Sequence, residues 1–550
     1  MTLSESDSPP PDQPPPPDQP PPPDSPPPDQ PPPPDSQRPG GNALDLRRRP
    51  HASRSTLDDY PDRGQDERMK TRPALALLPI ALLVIVAGCG STTPSPTGSA
   101  ATTTPTVVTS ATPTVQQSPS VQPSPTAQPT PTGQPIAADW PLYHLDAQRT
   151  GNQSAFPALS ASLSKAWSAR LDGAVYAEPL VIGGHIIAAT ENDSVYALDP
   201  ATGAVLWRQH LGTPVRLSTL PCGNIDPLGI TGTPAFDPAT GSLFLVAEVA
   251  GPHHVLFALD PSNGSVRWSR SVDLAGDSPS THQQRPALAV ANGYVYIGFG
   301  GLAGDCGQYI GEVVGVPTGG TGDTIAYRVP VKREGAVWAT AGPVLDDTGN
   351  LYVATGNGSS KTSYDGSDSV LELSPSLKLL SRFAPSTWAR DNASDADLGS
   401  TSPVLVPGGW VFQVGKSGTG YVMRQGSLGG IGGQVSSAHV CGAFGGAAQD
   451  GATIYVPCRS ALREVQVATD GKLTVGWVTK SGVGGGPPVI GGGAVWSVNQ
   501  TSGGLYALDP ATGATLASIS LGAVPHFASP TLWGGHVLVG TMTGVVAIAV

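Results

Sequence analysis

The most regular pattern in the chain is an apolar strand, a polar turn and a second strand, and it recurs three times. The copies read YALDPATGAVLW (196–207), FALDPSNGSVRW (257–268) and YALDPATGATLA (506–517). In each copy an aspartate can open the turn, a proline presets φ, and a glycine can take the left-handed conformation that closes a hairpin. The turn residues are Asp199 with Gly203, Asp260 with Gly264, and Asp509 with Gly513.

A second pattern lies upstream of the hairpins, where a proline opens a short apolar strand at intervals of about 50 residues, enough for four short strands. The longest interval has room for a further unit near Gly446 and Ala447. Proline at the start of an edge strand removes no ladder hydrogen bond. The pattern therefore predicts an all-β fold, an eight-bladed β-propeller of four-stranded antiparallel blades. The prolines are Pro179, Pro234, Pro286, Pro343, Pro403, Pro488 and Pro530.

The two ends of this region predict how the ring closes. The last set, from Pro530 to Val550, has residues for only three strands, and an extra strand with Trp167 runs from Leu163 to Leu171. We expect this N-terminal strand to complete the last blade, which would remove the free edges of an open sheet.

The hairpins resemble the tryptophan-docking motif of pyrroloquinoline-quinone (PQQ) repeat propellers, Ala-x-Asp-x-x-Thr-Gly-x-x-x-Trp. The first copy matches fully through Trp207; the second ends in Trp268 but has Asn263 for the threonine, and the third has Ala517 for the tryptophan. WPLYHLDAQRTG (140–151) is similar to the lead-in of such propellers. The resemblance covers residues 140–550, and it implies the fold more strongly than any activity.

Three segments precede the propeller, which we place at 138–550. Residues 1–68 begin with PPPDQ-like repeats, which are typical of polyproline II. We interpret them either as a disordered tail or as sequence upstream of the true start codon. Residues 69–89 resemble a lipoprotein signal peptide that ends at Cys89, which would carry the lipid; an uncleaved signal anchor is the alternative. Residues 90–137, rich in Ser, Thr and Pro, predict an extended linker that could be glycosylated. These segments predict an extracytoplasmic protein anchored to the cell membrane.

Charge and cysteine content narrow the partners and the compartment. A formal net charge of −12 disfavours a nucleic-acid partner, which would require a basic face. Apart from Cys89 there are four cysteines, an even number that suggests disulfides outside the cytoplasm. Four cysteines can pair in three ways, and we favour the scheme in which both disulfides join loops of one face. They are Cys222–Cys306 and Cys441–Cys458.

The long polar loops predict a functional face opposite the short DPATG turns. Polar residues cluster where inner strands begin on this face. Among them, Glu178 and Arg285 could clamp a substrate, but we favour an ion pair between the two that closes the channel. The acidic loop DNASDAD could hold Ca²⁺, although a solvated loop is favoured. The face candidates are Glu178, Gln284, Arg285, Trp338, Asp397 and His526, and the weak metal candidates are Asp391, Asn392, Asp395 and Asp397.

Two functions remain open at this level. The favoured one is a monomeric, non-enzymatic binding or scaffold module for a cell-envelope protein, peptide or glycan, with no cofactor and no catalytic residue. The alternative is a PQQ-dependent dehydrogenase of alcohols or polyols with Ca²⁺. The resemblance implies adjacent cysteines beneath the cofactor in such enzymes, and the chain has neither an adjacent pair nor a CxxCH haem motif.

Overall fold

Residues 139–160 and 162–550 are described by a computed structural model, in which eight four-stranded antiparallel blades form a closed ring. This confirms the predicted fold class. The N-terminal tail, the signal segment with Cys89 and the linker lie outside the described residues.

We label the strands of each blade a to d from the channel outward. The chain begins with β1 (Asn152–Gln153) and β2 (Ser164–Arg170). Blade one contains β3 (Leu180–Ile182), β4 (His185–Thr190), β5 (Ser194–Leu198) and β6 (Val205–His210). Blade two contains β7 (Ala235–Asp237), β8 (Ser242–Val249), β9 (His253–Leu259) and β10 (Val266–Ser271). Blade three contains β11 (His282–Gln283), β12 (Ala289–Ala291), β13 (Tyr294–Gly301), β14 (Glu312–Pro317) and β15 (Ile325–Arg328). Blade four contains β16 (Val344–Leu345), β17 (Leu351–Ala354), β18 (Val370–Leu373) and β19 (Leu379–Ala384).

The second half of the ring follows the same order. Blade five contains β20 (Val404–Val406), β21 (Trp410–Val414), β22 (Thr419–Arg424) and β24 (Ser436–His439), while β23 (Gly430–Ile431) pairs with β19 of blade four. Blade six contains β25 (Ala448–Asp450), β26 (Thr453–Pro457), β27 (Leu462–Val467) and β28 (Leu473–Val478). Blade seven contains β29 (Val489–Gly491), β30 (Ala494–Asn499), β31 (Gly504–Leu508) and β32 (Thr515–Ser520). Blade eight contains β33 (Pro530–Trp533), β34 (His536–Thr541) and β35 (Gly544–Ala549).

Helical structure is confined to loops in the described residues. It comprises the α-helix α1 (Trp388–Ala393) and single 3₁₀ turns at Leu217–Thr219, Pro279–Thr281 and Leu398–Ser400. No described helix is long and apolar enough to cross a bilayer.

Ring closure follows the prediction. β2 pairs antiparallel with β35, from Ser164 opposite Ala549 to Arg170 opposite Gly544, and so becomes strand d of blade eight. The strand that precedes blade one in the chain thereby completes the last blade, and the ring has no open end.

Neighbouring blades are held by tryptophans that lie on the glycine turns. Gly203, Gly264 and Gly513 have φ of 71°, 74° and 69°, as the sequence predicts for these turns. The indole of Trp207 lies against Gly264 of the next blade, and its Nε1 donates to the carbonyl of Pro261 at 3.1 Å. A Cβ at Gly264 would come within 2.5 Å of this ring. The glycine is therefore required both by its left-handed backbone and by the contact.

The same docking contact explains why the third copy of the motif has Ala517 in place of the tryptophan. Trp167 lies on Gly203, Trp268 on Gly320 and Trp477 on Gly513. Blade eight has no turn between strands c and d, because its outer strand is β2, which comes from the N-terminal side of blade one. A tryptophan at 517 would have no such turn to lie on.

The lead-in, residues 140–159, fills the channel and pairs with the inner strands. In five blades a residue of the inner strand donates its backbone N–H to a lead-in carbonyl. The pairs are Val181 to Trp140, Phe236 to Pro141, Leu345 to Ala147, Gln449 to Thr150 and Ile490 to Gly151, at 2.7–3.0 Å.

Side chains of the lead-in and of blade one lock it in place. The carboxylate of Glu178, 3% exposed, accepts from the backbone N–H of His144 at 3.2 Å and from the indole of Trp140. Burial raises the pKa of Glu178 to about 8. Arg149 donates to the carbonyls of Leu288 at 2.8 Å and Tyr143 at 3.2 Å. The channel is thus occupied by the chain's own residues.

Substituting Gly264→Ala should destabilise the ring more than Gly293→Ala does. Both glycines have nearly the same backbone, with φ of 74° and 76°, but a Cβ at Gly293 meets nothing within 4 Å. Left-handed alanine costs about 1–2 kcal/mol in each variant, and displacing Trp207 should add about 1–3 kcal/mol at Gly264. Urea unfolding measures the difference, and equal losses in the two variants would refute the docking contact.

Glu178→Gln should gain stability relative to the native chain as pH rises. The folded glutamate holds its proton up to a pKa of about 8, whereas in the unfolded chain it titrates near ~4.3. The folded state therefore binds more protons between these values, so the native chain loses this stability as pH rises through the window. We expect the difference between variant and native chain to change by roughly 2–4 kcal/mol from about pH 5 to pH 8. A difference in unfolding free energy between variant and native chain that does not change with pH would contradict this prediction.

Candidate functional site

The long loops gather on the face predicted to be functional. They connect strand d to strand a of the next blade or strand b to strand c, and include residues 211–234, 302–311, 355–369 and 385–403. Both predicted disulfides form there. Cys222 and Cys306 join loops of neighbouring blades with Cα atoms 6.0 Å apart, and Cys441 and Cys458 join two loops of blade six at 5.7 Å.

Two aromatic rings close the channel on this face. Trp338 precedes blade four and Phe527 precedes blade eight, and their ring centroids are 6.3 Å apart. Since these blades stand opposite each other in a ring of eight, the rings meet over its axis. The cavity that Phe527, His526 and Arg285 line with Tyr143 of the lead-in has a volume of about 10 Å³. That is room for about one water molecule.

Cations lie over the aromatic rings around this point. The guanidinium carbon of Arg285 is 5.7 Å from the ring centre of Phe527, and Lys416 Nζ is 5.7 Å from that of Trp338. Arg459 lies 5.5 Å from the ring of Phe444. All three distances are in the range of cation–π attraction. These six residues are called the mouth surface below.

The cations of the mouth surface differ in how their charge is balanced. Lys416 Nζ is 2.7 Å from both Asp397 Oδ2 and Asp395 Oδ1. Burial alone would lower the pKa of Lys416, but the two carboxylates raise it above its usual value, so the ammonium stays charged. Arg285 and Arg459 form no ion pair with any described residue.

The predicted face residues separate into two layers. Arg285, Trp338 and His526 reach the mouth, where burial and the charge of Arg285 lower the pKa of His526. Asp397 is buried beneath and accepts from the backbone N–H of Asn357 at 2.6 Å in addition to Lys416.

The other two face candidates point inward. Gln284 is 1% exposed, and its backbone N–H donates to Glu248 Oε1 at 2.8 Å. Glu178 and Arg285 form no ion pair in the described part of the chain. The reason is the lead-in, which takes the Glu178 carboxylate, while the carboxylates that act on Arg285 are Glu191 and Glu248. The channel-closing ion pair is therefore absent among the described residues, and the substrate clamp stays a prediction.

The acidic loop uses its oxygens within the protein. Asp391 accepts from the hydroxyl of Thr387 at 2.5 Å, and Asn392 Oδ1 from the backbone N–H of Gly358 at 2.7 Å. Asp395 and Asp397 share Lys416. A calcium site here stays a prediction, and these contacts do not favour it.

One other group of metal-ligand side chains stands close together in the described residues. It consists of Asp277, His282 and Glu312. Arg328 already bridges the two carboxylates, at 2.6 Å from Asp277 and 3.3 Å from Glu312. Both ring nitrogens of His282 are 3.2 Å from backbone carbonyls, so each faces a protein oxygen rather than an open position for a metal ion.

Sequence reasoning missed Lys416, Phe444, Arg459 and Phe527. A usable signal was the aromatic residue that stands a few positions before an inner strand, since Trp338, Phe444 and Phe527 all occupy such positions. The two cations follow strand b, in short loops that carry no motif.

Comparisons with known proteins agree with the fold. Residues 156–304 match the family model described as outer membrane protein assembly factor BamB. A polyvinylalcohol dehydrogenase of Sphingopyxis sp. (strain 113P3) is 25% identical over 256 residues, which are 42% of this chain and 36% of that protein. The chain thus spans little more than a third of this relative's length.

Two solved structures share the architecture at low identity. The quinohemoprotein alcohol dehydrogenase of Pseudomonas putida HK5 has a TM-score of 0.61 and 15% identity, over 75% of this chain and 80% of that one. BamB of Moraxella catarrhalis has a TM-score of 0.51 and 14% identity, over 70% of this chain and 99% of that one. Such likenesses support the fold and not an activity. The chain is thus an eight-bladed β-propeller that shares its docking motif with the PQQ-like repeat propellers.

Proposed function

We propose that the chain is an extracytoplasmic binding module whose mouth surface holds an acidic segment of a cell-envelope protein or peptide. The observation that carries the proposal is the pair Arg285 and Arg459, each stacked on an aromatic ring and without a described ion-pair partner. Arginine and aromatic residues are the types that dominate binding energy at protein interfaces. A carboxylate of the partner would complete each pair with a charge-assisted hydrogen bond.

The shape of the mouth favours a ligand on the surface over one inside the ring. The channel holds the lead-in, and Trp338 and Phe527 cover what remains. Phe527 also stands 3.6 Å from where a Cβ of Gly445 would be, which joins it to the loop that carries Phe444. Trp338 and Phe527 thus lie together next to the loop that carries Phe444, and a cation lies over each of these three rings.

The dehydrogenase alternative is not supported by the residues present. The relative in Sphingopyxis is named as an enzyme, and a PQQ cofactor would supply quinone redox chemistry. A ligand of that size needs a site of roughly 300 Å³ or more, whereas the cavity at the mouth is about 10 Å³. The chain also has no adjacent cysteines. The mouth does not fit the cofactor.

The compartment follows from the disulfides and the signal sequence. Two disulfides in one domain are typical of an oxidising environment outside the cytoplasm. The segment that ends at Cys89 supports a lipid anchor on the cell membrane.

Cys89→Ser should release the chain from the membrane fraction and abolish its labelling by a fatty acid in growing cells. A thioether-linked lipid requires the cysteine sulfur, which serine lacks. Cys222→Ser, which leaves the signal segment unchanged, is the control. Persistent labelling of the Cys89 variant would rule out this anchor.

A photo-crosslinking amino acid in place of Phe444 should form one discrete adduct with an envelope protein in intact cells. Adding Arg459→Ala should reduce the adduct about tenfold, because a charge-assisted hydrogen bond contributes about 1.5–3 kcal/mol. Mass spectrometry identifies the partner. The control position is Ala201, which is exposed on the turns of the opposite face.

The same experiment distinguishes the two functions. No adduct at Phe444, or an adduct of equal yield at Ala201, would contradict the proposal. Titration of PQQ into the purified full chain, with and without Ca²⁺, should give no binding heat. Calcium-dependent binding in the micromolar range or tighter would instead favour a dehydrogenase.

A further inference from the structure

A cleft of about 540 Å³ opens on the face opposite the mouth surface. It lies between the lead-in and the inner strand of blade five, β20. Its volume is that of a site for a small molecule or a short stretch of polymer. Nothing in the mouth surface contributes to it.

The cleft exists because the lead-in passes blade five without pairing to it. Ala147 accepts from Leu345 of blade four, and Thr150 accepts from Gln449 of blade six. Three residues span roughly 10 Å at most, so the chain takes the short path across the channel. Leu405 is the middle residue of blade five's inner strand, and it makes no backbone hydrogen bond to the lead-in in the described residues. A gap is left where five other blades are paired.

One wall of the cleft is an alternating row of polar side chains. Every second residue from Gln148 to Ser154 lines the cleft, although only Asn152 and Gln153 are in a strand here and Arg149 and Gly151 have left-handed φ of 60° and 63°. Arg149, between them, turns the other way to the carbonyl of Leu288. The row is Gln148, Thr150, Asn152 and Ser154.

The opposite wall of the cleft also carries polar side chains. Gln425 Nε2 donates to Asp346 Oδ2 at 3.2 Å, and Gln148 Nε2 to Asp347 Oδ1 at 2.7 Å. These contacts orient the amides, and an amide oxygen has two lone pairs to offer a ligand. The apolar floor is provided by Leu405 and its neighbours in β20.

The composition of the lining selects the ligand. No lysine or arginine lines the cleft, and two aspartates do, so a phosphate or carboxylate ligand would meet only repulsion. No aromatic side chain is present to stack on a flat ring. Amides, hydroxyls and carboxylates together offer both donors and acceptors, which is what a hydroxyl group requires.

We propose that this cleft binds a neutral, hydroxyl-rich chain. Two sources share that chemistry, a neutral glycan of the cell envelope and polyvinyl alcohol, for which the Sphingopyxis relative is named. The cleft and the mouth surface are on different faces, so each proposal can fail without affecting the other.

Isothermal titration of the full chain with maltohexaose, and separately with a short polyvinyl alcohol, tests this site. Binding of maltohexaose alone assigns the cleft to a glycan, and binding of polyvinyl alcohol alone assigns it to the polymer. Ser154→Trp should abolish binding, because the indole would fill the cleft. The variant should still fold, because Ser154 is exposed and its replacement needs no repacking. Gln425→Ala should weaken binding about tenfold, as expected for losing one or two hydrogen bonds.

Matched variants separate the cleft from general effects. Ser160→Trp places the same bulk at an exposed position directly after the lead-in, and Gln209→Ala removes a half-buried amide from β6. Neither residue lines the cleft. Both should bind as the native chain does, and so should Phe527→Ala at the mouth. The proposal is overturned if neither probe binds, or if Ser154→Trp binds as tightly as Ser160→Trp.

Discussion

The inner edge of each blade is the constraint on which the rest of the molecule depends. A four-stranded blade leaves the backbone groups of its first strand facing the channel, and buried groups of this kind must find partners. The lead-in supplies them, since its carbonyls accept from Val181, Phe236, Leu345, Gln449 and Ile490. A segment that precedes the first blade in the sequence is therefore part of the core.

Filling the channel decides what kind of function the ring can have. With Tyr143 and His144 buried at the axis, little space remains beneath Trp338 and Phe527. His144 is held neutral there, because burial lowers its pKa to about 3, and its Nδ1 lies 3.2 Å from the carbonyl of Ala447. Interactions with other molecules are left to the rims of the ring, where the cations and the polar cleft are found.

The sequence was informative wherever a contact is local or repeated. Gly264 and Trp207 lie in matching positions of successive hairpins, so their docking follows from the repeat, and Trp167 could be assigned to the last blade by counting strands. The route of the lead-in could not be predicted, because it depends on pairing with strands far along the chain. For that reason Glu178 was expected to face Arg285, whereas its carboxylate is bound to Trp140 and His144.

The two faces are also distinguished by where the lead-in begins and which residues it exposes. Asp139 accepts from the backbone N–H of Gly183 at 2.7 Å, in the turn between strands a and b of blade one. Asp139, the first described residue, therefore lies on the face that carries the cleft, and the mouth surface is on the other face. A ligand in the cleft would lie against the lead-in itself, along Gln148 and Asn152. Contact with that ligand would thus fall on the segment that also fills the channel.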